Sequence, residues 1–184
     1  MHDLAPLTAL GATTPRCDTI GTITIAENPD VALASVAARR GQSAPCAAAL
    51  AAWLDAPAPG IAEHSGTHMA AFWLGPDMWM LEAPFATREG MAQDLAQRLK
   101  GMASVTEQTD AWARFDLSGD GLADMLARLT NLDLATLPQR FARRTVMEHV
   151  GCYLLRRDAG YSIYGPRSSA GSLHHALRLA AGAL

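Results

Sequence analysis

Hydrophobic and polar residues in this chain form short segments that switch repeatedly between the period of a strand and that of a helix. Apolar residues recur at helical spacing in some segments, whereas others alternate or are continuously apolar and bounded by turn residues. Residues 31–40 fit both periods because alanine suits either one. The predicted order is strand, helix, hairpin, helix, strand, helix, hairpin and helix, over residues 31–40, 43–54, 68–82, 88–100, 105–117, 121–134, 145–164 and 168–182.

Turn and capping residues mark the limits of these predicted elements. Residues 75–77 and 158–160 are typical turns and predict the two hairpins. Gly101 predicts a C-terminal cap. The residues predicted to cap helix N-termini are Ser43, Thr87 and either Ser168 or Ser169.

A strand–helix–hairpin–helix unit therefore occurs twice, at about residues 31–100 and 105–182. This order predicts an α+β fold in which helices cover antiparallel sheets, and it argues against a doubly wound parallel sheet. We predict an N-terminal arm over residues 1–26, extended up to residue 20 and with a weak edge strand at 22–26. A single two-lobed domain is predicted over residues 27–184, with lobes at about 27–103 and 104–184.

Composition narrows the classes of function. The 184 residues carry a net charge of −3, and 18% of them are charged, which is below the average of about 25% for soluble domains. The sequence has no basic face of the kind that binds a phosphate backbone, so we do not expect nucleic-acid binding. We also expect neither a signal peptide nor a membrane span. Three scattered cysteines, Cys17, Cys46 and Cys152, fit packed thiols in a reducing cytoplasm better than disulfides.

One segment resembles part of a calcium-binding loop. Residues 116–121 place Asp116, Ser118 and Asp120 at alternate positions before Gly121, but position twelve is Ala127 instead of a bidentate carboxylate. A strand-to-helix turn capped by Asp120 or Ser118 is the favoured interpretation.

The histidines and cysteines do not form a recognisable catalytic pattern. His64 and His68 would share a face only on a helix, and the residues between them are poor helix formers. His149 is predicted within a strand as a structural histidine, and His174 and His175 at a helix surface or rim. No nucleophile elbow is present, and Cys152 is predicted to be packed in an apolar strand.

Tryptophans and paired arginines are the candidate contact residues. The hairpin turn between Trp73 and Trp79 is a candidate docking element for a neighbouring chain, although tryptophans in apolar settings are more often core. The pairs at residues 39–40, 143–144 and 156–157 are predicted at element ends as solvated charge, with inter-subunit ion pairs as the alternative.

The order of motifs resembles the gamma subunit of heterotetrameric sarcosine oxidase. Residues 73–81, with Trp73, Gly75, Asp77 and Trp79, are similar to a characteristic segment of that family. The other matching stretches are residues 33–41, 109–112, 132–134, 141–149 and 167–170. Together they extend over about residues 27–182, and their order and spacing are more specific than any one motif.

The resemblance implies a fold similar to the folate-binding domain of aminomethyltransferase. It also implies alpha, beta and delta subunits as partners, with FAD, FMN, NAD and tetrahydrofolate expected on those subunits and no cofactor in this chain. The implied reaction is oxidative demethylation of sarcosine to glycine. The one-carbon unit passes to tetrahydrofolate or leaves as formaldehyde, and hydrogen peroxide forms.

The leading hypothesis is a non-catalytic structural subunit of a cytoplasmic sarcosine oxidase complex, with no catalytic, cofactor-binding or metal-ligating residue assigned. One rival is a stand-alone folate-dependent aminomethyltransferase-like enzyme. It would need a carboxylate facing a pterin pocket, and Asp110 and Asp116 are the candidates. The second rival is the equivalent subunit of an N-methylglutamate dehydrogenase-type complex.

Overall fold

The structure is a computed structural model that describes residues 6–184, in which the chain forms eleven strands and five α-helices. The strands are β1 (Cys17–Ile20), β2 (Ile23–Glu27), β3 (Ala32–Ala38), β4 (His64–Gly66), β5 (Ala70–Gly75), β6 (Met78–Ala83), β7 (Ala103–Glu107), β8 (Trp112–Gly119), β9 (Ala142–Met147), β10 (Val150–Arg157) and β11 (Gly160–Pro166). The α-helices are α1 (Ser43–Leu54), α2 (Phe85–Arg88), α3 (Met91–Arg98), α4 (Leu122–Ala127) and α5 (Ala170–Gly182). Short 3-10 turns lie at Thr109–Ala111 and Arg167–Ser169.

The chain divides into two compact units. Unit 1 contains residues 6–29, 110–139 and 144–184, and unit 2 contains residues 30–109 and 140–143. Among the described residues, no helix combines the length and the apolar character that crossing a bilayer requires.

Unit 1 is built on a six-stranded antiparallel sheet in the order β1-β2-β8-β11-β10-β9. Residues of β8 alternate strictly, so that Ala113, Phe115 and Leu117 are buried on one face. Helix α5 packs against β1, β2 and β11 and buries Leu173 and Leu177. The apolar side of this unit therefore lies between the sheet and the helix.

Unit 2 is built on a five-stranded antiparallel sheet in the order β4-β5-β6-β3-β7. One face of this sheet shares an apolar core with α1 and α3. Its largest buried contributions from the helices are Cys46, Leu50, Leu54, Met91 and Leu95. Within residues 31–40, for which the sequence fits both periods, the structure forms strand β3, and the alternating positions of β3 face that core.

The predicted duplication is present in the strand order itself. Each unit contains a strand, a helix, a three-stranded meander and a closing helix, and the meander lies next to the first strand in the same way. The corresponding orders are β4-β5-β6-β3 in unit 2 and β9-β10-β11-β8 in unit 1. The predicted α+β class with antiparallel sheets is thus confirmed.

Two predicted strands are each divided in the structure. Residues 105–117 form β7 and β8, which belong to different sheets and are separated by a 3-10 turn. Residues 145–156 form parts of β9 and β10, which are separated by a turn at Glu148 and His149. Both turn residues have positive φ angles. Neither residue is a usual turn former, so the sequence contains no local signal for this turn.

Several predicted helices are shorter and begin differently. Residues 88–100 are interrupted at Gly90, so α2 ends at Arg88 and α3 begins at Met91. Residues 121–134 are helical only over α4. The capping predictions for Ser43 and Thr87 were wrong, because the N-cap residues of α1, α2 and α3 are Gln42, Pro84 and Gly90. Ser169 does occupy the N-cap position of α5, as predicted, but its side chain forms no capping hydrogen bond.

Part of the predicted N-terminal arm belongs to the sheet. From Cys17 onward it forms β1 and β2, which pair with each other. Both oxygens of the buried Glu27 carboxylate also hold the preceding segment, accepting hydrogen bonds from the N–H groups of Leu10 (2.9 Å) and Arg16 (3.1 Å). The first five residues of the predicted arm lie outside the described residues.

Candidate functional site

A polar cluster lies on the sheet of unit 1. Arg114 and Asp116 occupy the positions of β8 that alternate with its buried apolar residues. Register pairs Tyr164 with Arg114 and Ser162 with Asp116 on β11. Asn28 follows β2, the other neighbour of β8. We call these residues, together with Arg157, the Asp116 cluster.

Both oxygens of the Asp116 carboxylate accept hydrogen bonds. Arg114 Nε donates to Oδ1 at 2.8 Å, and Ser162 Oγ donates to the same oxygen at 2.6 Å. Asn28 Nδ2 donates to Oδ2 at 2.7 Å. Ser162 is fully buried and its hydroxyl oxygen accepts from Arg157 Nε at 3.0 Å. The cluster therefore connects β8, β10, β11 and the residue that follows β2 through side chains.

Electrostatics keep Asp116 ionised. Burial raises its pKa, but the Arg114 charge and the hydrogen bonds from Arg114, Asn28 and Ser162 outweigh burial, so the pKa lies below the ordinary value. A carboxylate with a lowered pKa cannot donate a proton near neutral pH and is a weak base. What it can do is hold donors or a positive charge in place.

Arg114 also contacts an aromatic ring. Its guanidinium carbon lies 5.8 Å from the ring centroid of Tyr164, within cation–π range, and Nη1 lies 3.4 Å from the tyrosine hydroxyl. Tyr164 is only 1% exposed. The ring and the carboxylate together determine the orientation of the Arg114 side chain.

Of the two predicted carboxylate candidates, only Asp116 lies in this cluster. Asp110 is exposed in the 3-10 turn before β8, and within residues 6–184 it forms no hydrogen bond with the cluster. The cluster itself was not predicted, because its members are far apart in sequence. The regular alternation of β8 was the one available signal that Arg114 and Asp116 share a face.

The segment that resembles a calcium loop is a strand-to-helix turn. Asp116 belongs to the cluster, and the Asp120 carbonyl oxygen accepts a hydrogen bond from Thr22 Oγ1 at 2.8 Å. Gly119 has a φ of 114°, and a Cβ there would lie 1.9 Å from the Thr22 carbonyl oxygen. Gly121 occupies the N-cap position of α4, without a side-chain cap, so the predicted cap by Asp120 or Ser118 was wrong.

Two histidine predictions need correction. His174 is buried, 6% exposed, with its ring stacked on Phe115 and its Nε2 atom 2.7 Å from Oδ2 of Asp18. Only its neighbour His175 is exposed, as predicted. His149 lies in the β9–β10 turn and not within a strand. The burial of His174 was not predicted, because its partner Asp18 belongs to a segment that the sequence predicts as an arm.

His64, His68 and the three cysteines do not join the cluster. His64 lies in β4 and His68 in the turn that follows, so the two do not share a helical face. Burial raises the pKa of the Cys152 thiol to about 11, and burial also raises the pKa of Cys46. Cys17 is exposed. No group of three His, Cys, Asp or Glu side chains within residues 6–184 could hold a metal ion.

The tryptophan pair of the β5–β6 hairpin is mostly internal. Trp79 is 6% exposed, and its indole N–H donates to the Pro59 carbonyl oxygen at 3.0 Å. Trp73 is its cross-strand partner and is half-buried. The favoured prediction of a core position is therefore confirmed for Trp79, which packs in the core of unit 2. Docking of the hairpin turn on a neighbouring chain stays a prediction.

The paired arginines match their predicted setting in part. Arg156 and Arg157 are half-buried at the end of β10, where Arg156 donates to the Leu137 carbonyl oxygen. Arg143 and Arg144 lie inside β9 instead of at its end, although both are exposed, as the prediction of solvated charge requires. Only the pair at residues 39–40 is exposed after a strand, as predicted.

Comparisons with known proteins identify the fold. A chain of heterotetrameric sarcosine oxidase from Corynebacterium sp. U-96, in complex with pyrrole 2-carboxylate, matches with a TM-score of 0.77 and 23% identity, over 86% of this chain and 83% of that chain. Aminomethyltransferase T of the glycine cleavage system from Bartonella henselae matches with a TM-score of 0.62 and 17% identity, over 82% of this chain and 44% of that chain. This chain thus spans less than half of the aminomethyltransferase.

No protein-family model and no curated protein matches the sequence. At these levels of identity the two structural matches establish the fold alone. The resemblance stated from the sequence is confirmed at that level: this chain has the fold of a chain of heterotetrameric sarcosine oxidase and of part of an aminomethyltransferase.

Proposed function

We propose that the chain is a non-catalytic structural subunit, of the gamma type, in a heterotetrameric sarcosine oxidase complex. The observation that carries the proposal is the match to a chain of such a complex, which extends over most of both chains. A fold shared over more than four fifths of both chains supports a role equivalent to that of the matched chain. The complex would demethylate sarcosine oxidatively to glycine, transfer the one-carbon unit to tetrahydrofolate or release it as formaldehyde, and produce hydrogen peroxide.

The chemistry of the Asp116 cluster supports a structural role. Its carboxylate already accepts hydrogen bonds at both oxygens, and its lowered pKa suits it poorly to proton transfer. The cluster links three strands of one sheet and the residue that follows a fourth, so its hydrogen bonds fix strand positions relative to each other. A rigid sheet is what a subunit needs in order to present a constant surface to its partners.

The partners in this proposal are the alpha, beta and delta subunits of the complex. They would carry FAD, FMN, NAD and tetrahydrofolate, and the assembly would reside in the cytoplasm. This chain would contribute area and shape instead of reactive groups, which is sufficient for stabilising a large partner subunit.

Co-purification from the native host tests the proposal. The tagged chain is isolated gently, and the masses of the associated chains and the flavin absorbance of the eluate are recorded. We expect a yellow complex that contains the larger chains and turns over sarcosine. A colourless chain with no partner would contradict the proposal. Preference of the purified complex for N-methylglutamate over sarcosine would instead assign it to the related dehydrogenase type.

A folate-dependent aminomethyltransferase-like enzyme is the second candidate. The fold match to aminomethyltransferase T favours it, although this chain spans only 44% of that protein. Titration of the isolated chain with tetrahydrofolate at millimolar concentration separates the two candidates. Saturable binding that is lost in Asp116→Asn or Asp110→Asn would favour the enzyme, and absence of binding would exclude it.

A further inference from the structure

Strand β9 is the outermost strand of the six-stranded sheet, and it pairs with β10 through the two-residue turn at Glu148 and His149. In a hairpin with a two-residue turn, the residues that flank the turn bond to each other, and bonding then alternates along each strand. Met147 and Thr145 therefore bond toward β10. The N–H and C=O groups of Arg144 and Val146 point away from the sheet.

Within residues 6–184, the outer edge of β9 is covered by backbone pairing at its beginning and not farther along. The Ala142 N–H donates to the Ala62 carbonyl oxygen at 2.9 Å, which agrees with the outward direction of the even-numbered residues. Beyond this bond, no backbone group within residues 6–184 pairs with the outer side of Arg144 or Val146. Two consecutive outward positions thus have open donors and acceptors at the spacing of a β-ladder.

The side chains at these two positions are also turned to solvent. Val146 is 59% exposed. Because it is β-branched and lies on an open edge, it favours pairing with another strand. Arg144 is exposed as well, and its guanidinium lies across Gly151 of β10: a Cβ built on that glycine would be 3.2 Å from Nη2. Because Gly151 has no side chain, the arginine can lie against the sheet.

The charge at this edge is not balanced locally. Arg143 and Arg144 are both exposed, and in the part of the chain that the structure describes neither forms an ion pair. Their positive charge favours an acidic occupant. It disfavours a second copy of this chain, because antiparallel pairing of two β9 strands would bring the arginines of both copies into one short ribbon.

We infer that the outer edge of β9 at residues 144–146 is an assembly surface that binds an extended segment of a larger partner subunit. That segment adds a strand to the sheet, places a carboxylate near Arg144 and lays an apolar side chain against Val146. Backbone hydrogen bonds at the edge give affinity, and the two side chains give selectivity. The inference rests on the proposed function, since it requires partner subunits.

Two variants test the edge directly, and two control variants are matched to them. Val146→Pro removes an outward N–H that β10 does not use, a change that edge strands tolerate. Arg144→Glu reverses the charge. The control Arg128→Glu makes the same charge reversal at an exposed residue of the same unit, and the control Leu179→Gln removes an exposed apolar side chain there, where Leu179 is 62% exposed. Each variant is co-expressed with the larger subunits, and affinity is measured on purified components after circular dichroism has verified the fold.

We expect the wild-type chain and both controls to assemble with the same affinity. Arg144→Glu and Val146→Pro should each weaken association with the larger subunits by about tenfold or more. Arg144→Glu should also reduce the salt dependence of that affinity. If Val146→Pro fails to fold, Arg144→Glu alone decides the result.

Three outcomes would overturn the inference. Full-affinity assembly of Arg144→Glu would overturn it while leaving the proposed function intact. Self-association of the isolated chain that Val146→Pro abolishes would assign the edge to a second copy. Failure of the wild-type chain to bind any larger subunit would reject the proposed function and the inference together.

Discussion

Replacing Asp116 by asparagine tests whether its carboxylate holds the sheet of unit 1 together. The carboxylate accepts three hydrogen bonds, from Arg114 at 2.8 Å, Ser162 at 2.6 Å and Asn28 at 2.7 Å. Asparagine keeps one acceptor oxygen, but its NH₂ group must then face a donor, and the Arg114 charge loses its partner.

The size of the effect follows from these contacts. Hydrogen bonds to a charged group contribute about 1.5–3 kcal/mol each, and exposed ion pairs contribute far less. Because the Asp116 side chain is 31% exposed, solvent screens part of this contribution. We expect Asp116→Asn to lower the free energy of unfolding by about 2–3 kcal/mol. For a chain of this length that corresponds to a decrease in Tm of about 5–10 °C.

The effect should depend on pH with a defined sign. The folded state lowers the pKa of Asp116, so its stabilising contribution is complete above the unfolded value of about 3.9. It is lost as the pH falls through the folded-state pKa. The difference in stability between wild type and Asp116→Asn should therefore be constant near neutral pH and narrow as the pH falls below about 4.

Urea unfolding of the purified full chain, followed by circular dichroism, measures these differences. The matched control is Asp110→Asn, which removes an exposed carboxylate outside the cluster and should change stability by less than about 0.5 kcal/mol. Asp116→Asn as stable as wild type, or a difference that does not narrow in acid, would refute the reasoning. Equal destabilisation by both variants would show that the effect is not specific to the cluster.

Three further expectations concern packing and thiol access. Gly119→Ala should cost about 2–4 kcal/mol, since its Cβ would lie 1.9 Å from the carbonyl oxygen of Thr22, in the turn before β2. Gly171→Ala meets no atom within 4 Å and should be neutral or stabilising by up to about 1 kcal/mol. Urea titration compares the two variants, and equal effects would contradict the steric argument. His174→Ala should cost about 2–3 kcal/mol, because it removes a buried ring and a hydrogen-bonded group, and a Tm unchanged from wild type would contradict its buried position. A maleimide reagent should label the exposed Cys17 rapidly in the native chain and Cys152 only after unfolding, since Cys152 is buried and burial raises its pKa to about 11. Mass spectrometry of peptides measures the labelling, and rapid labelling of Cys152 in the native chain would contradict this expectation.

Where sequence reasoning succeeded, the signal was local. Helical spacing identified the buried residues Met91, Leu95 and Leu99, and the turn before Met78 identified the β5–β6 hairpin. It failed where tertiary contacts override local preference. The β9–β10 turn uses two residues with positive φ angles that are not glycine, and only the pairing of the flanking strands stabilises such a turn.

The candidate site was hardly accessible from sequence. The sequence indicates Asp116 as a candidate carboxylate for a pterin pocket. Its partners Asn28 and Ser162, however, lie 88 and 46 residues away along the chain. The contact between His174 and Asp18 spans 156 residues. No periodicity contains information about such pairs, since periodicity describes neighbours on one element.

The sequence by itself determined the α+β class, the repeated order of elements and most of the apolar faces, because hydrophobic periodicity follows directly from helix and strand geometry. The tertiary structure alone decided which strands are neighbours, that residues 105–117 belong to two sheets, and that Asp116 is a hydrogen-bonded anion. It also decided that Arg144 and Val146 lie on an open edge. These properties depend on strand order, which results from the packing of distant segments against each other and not from the preferences of any one of them.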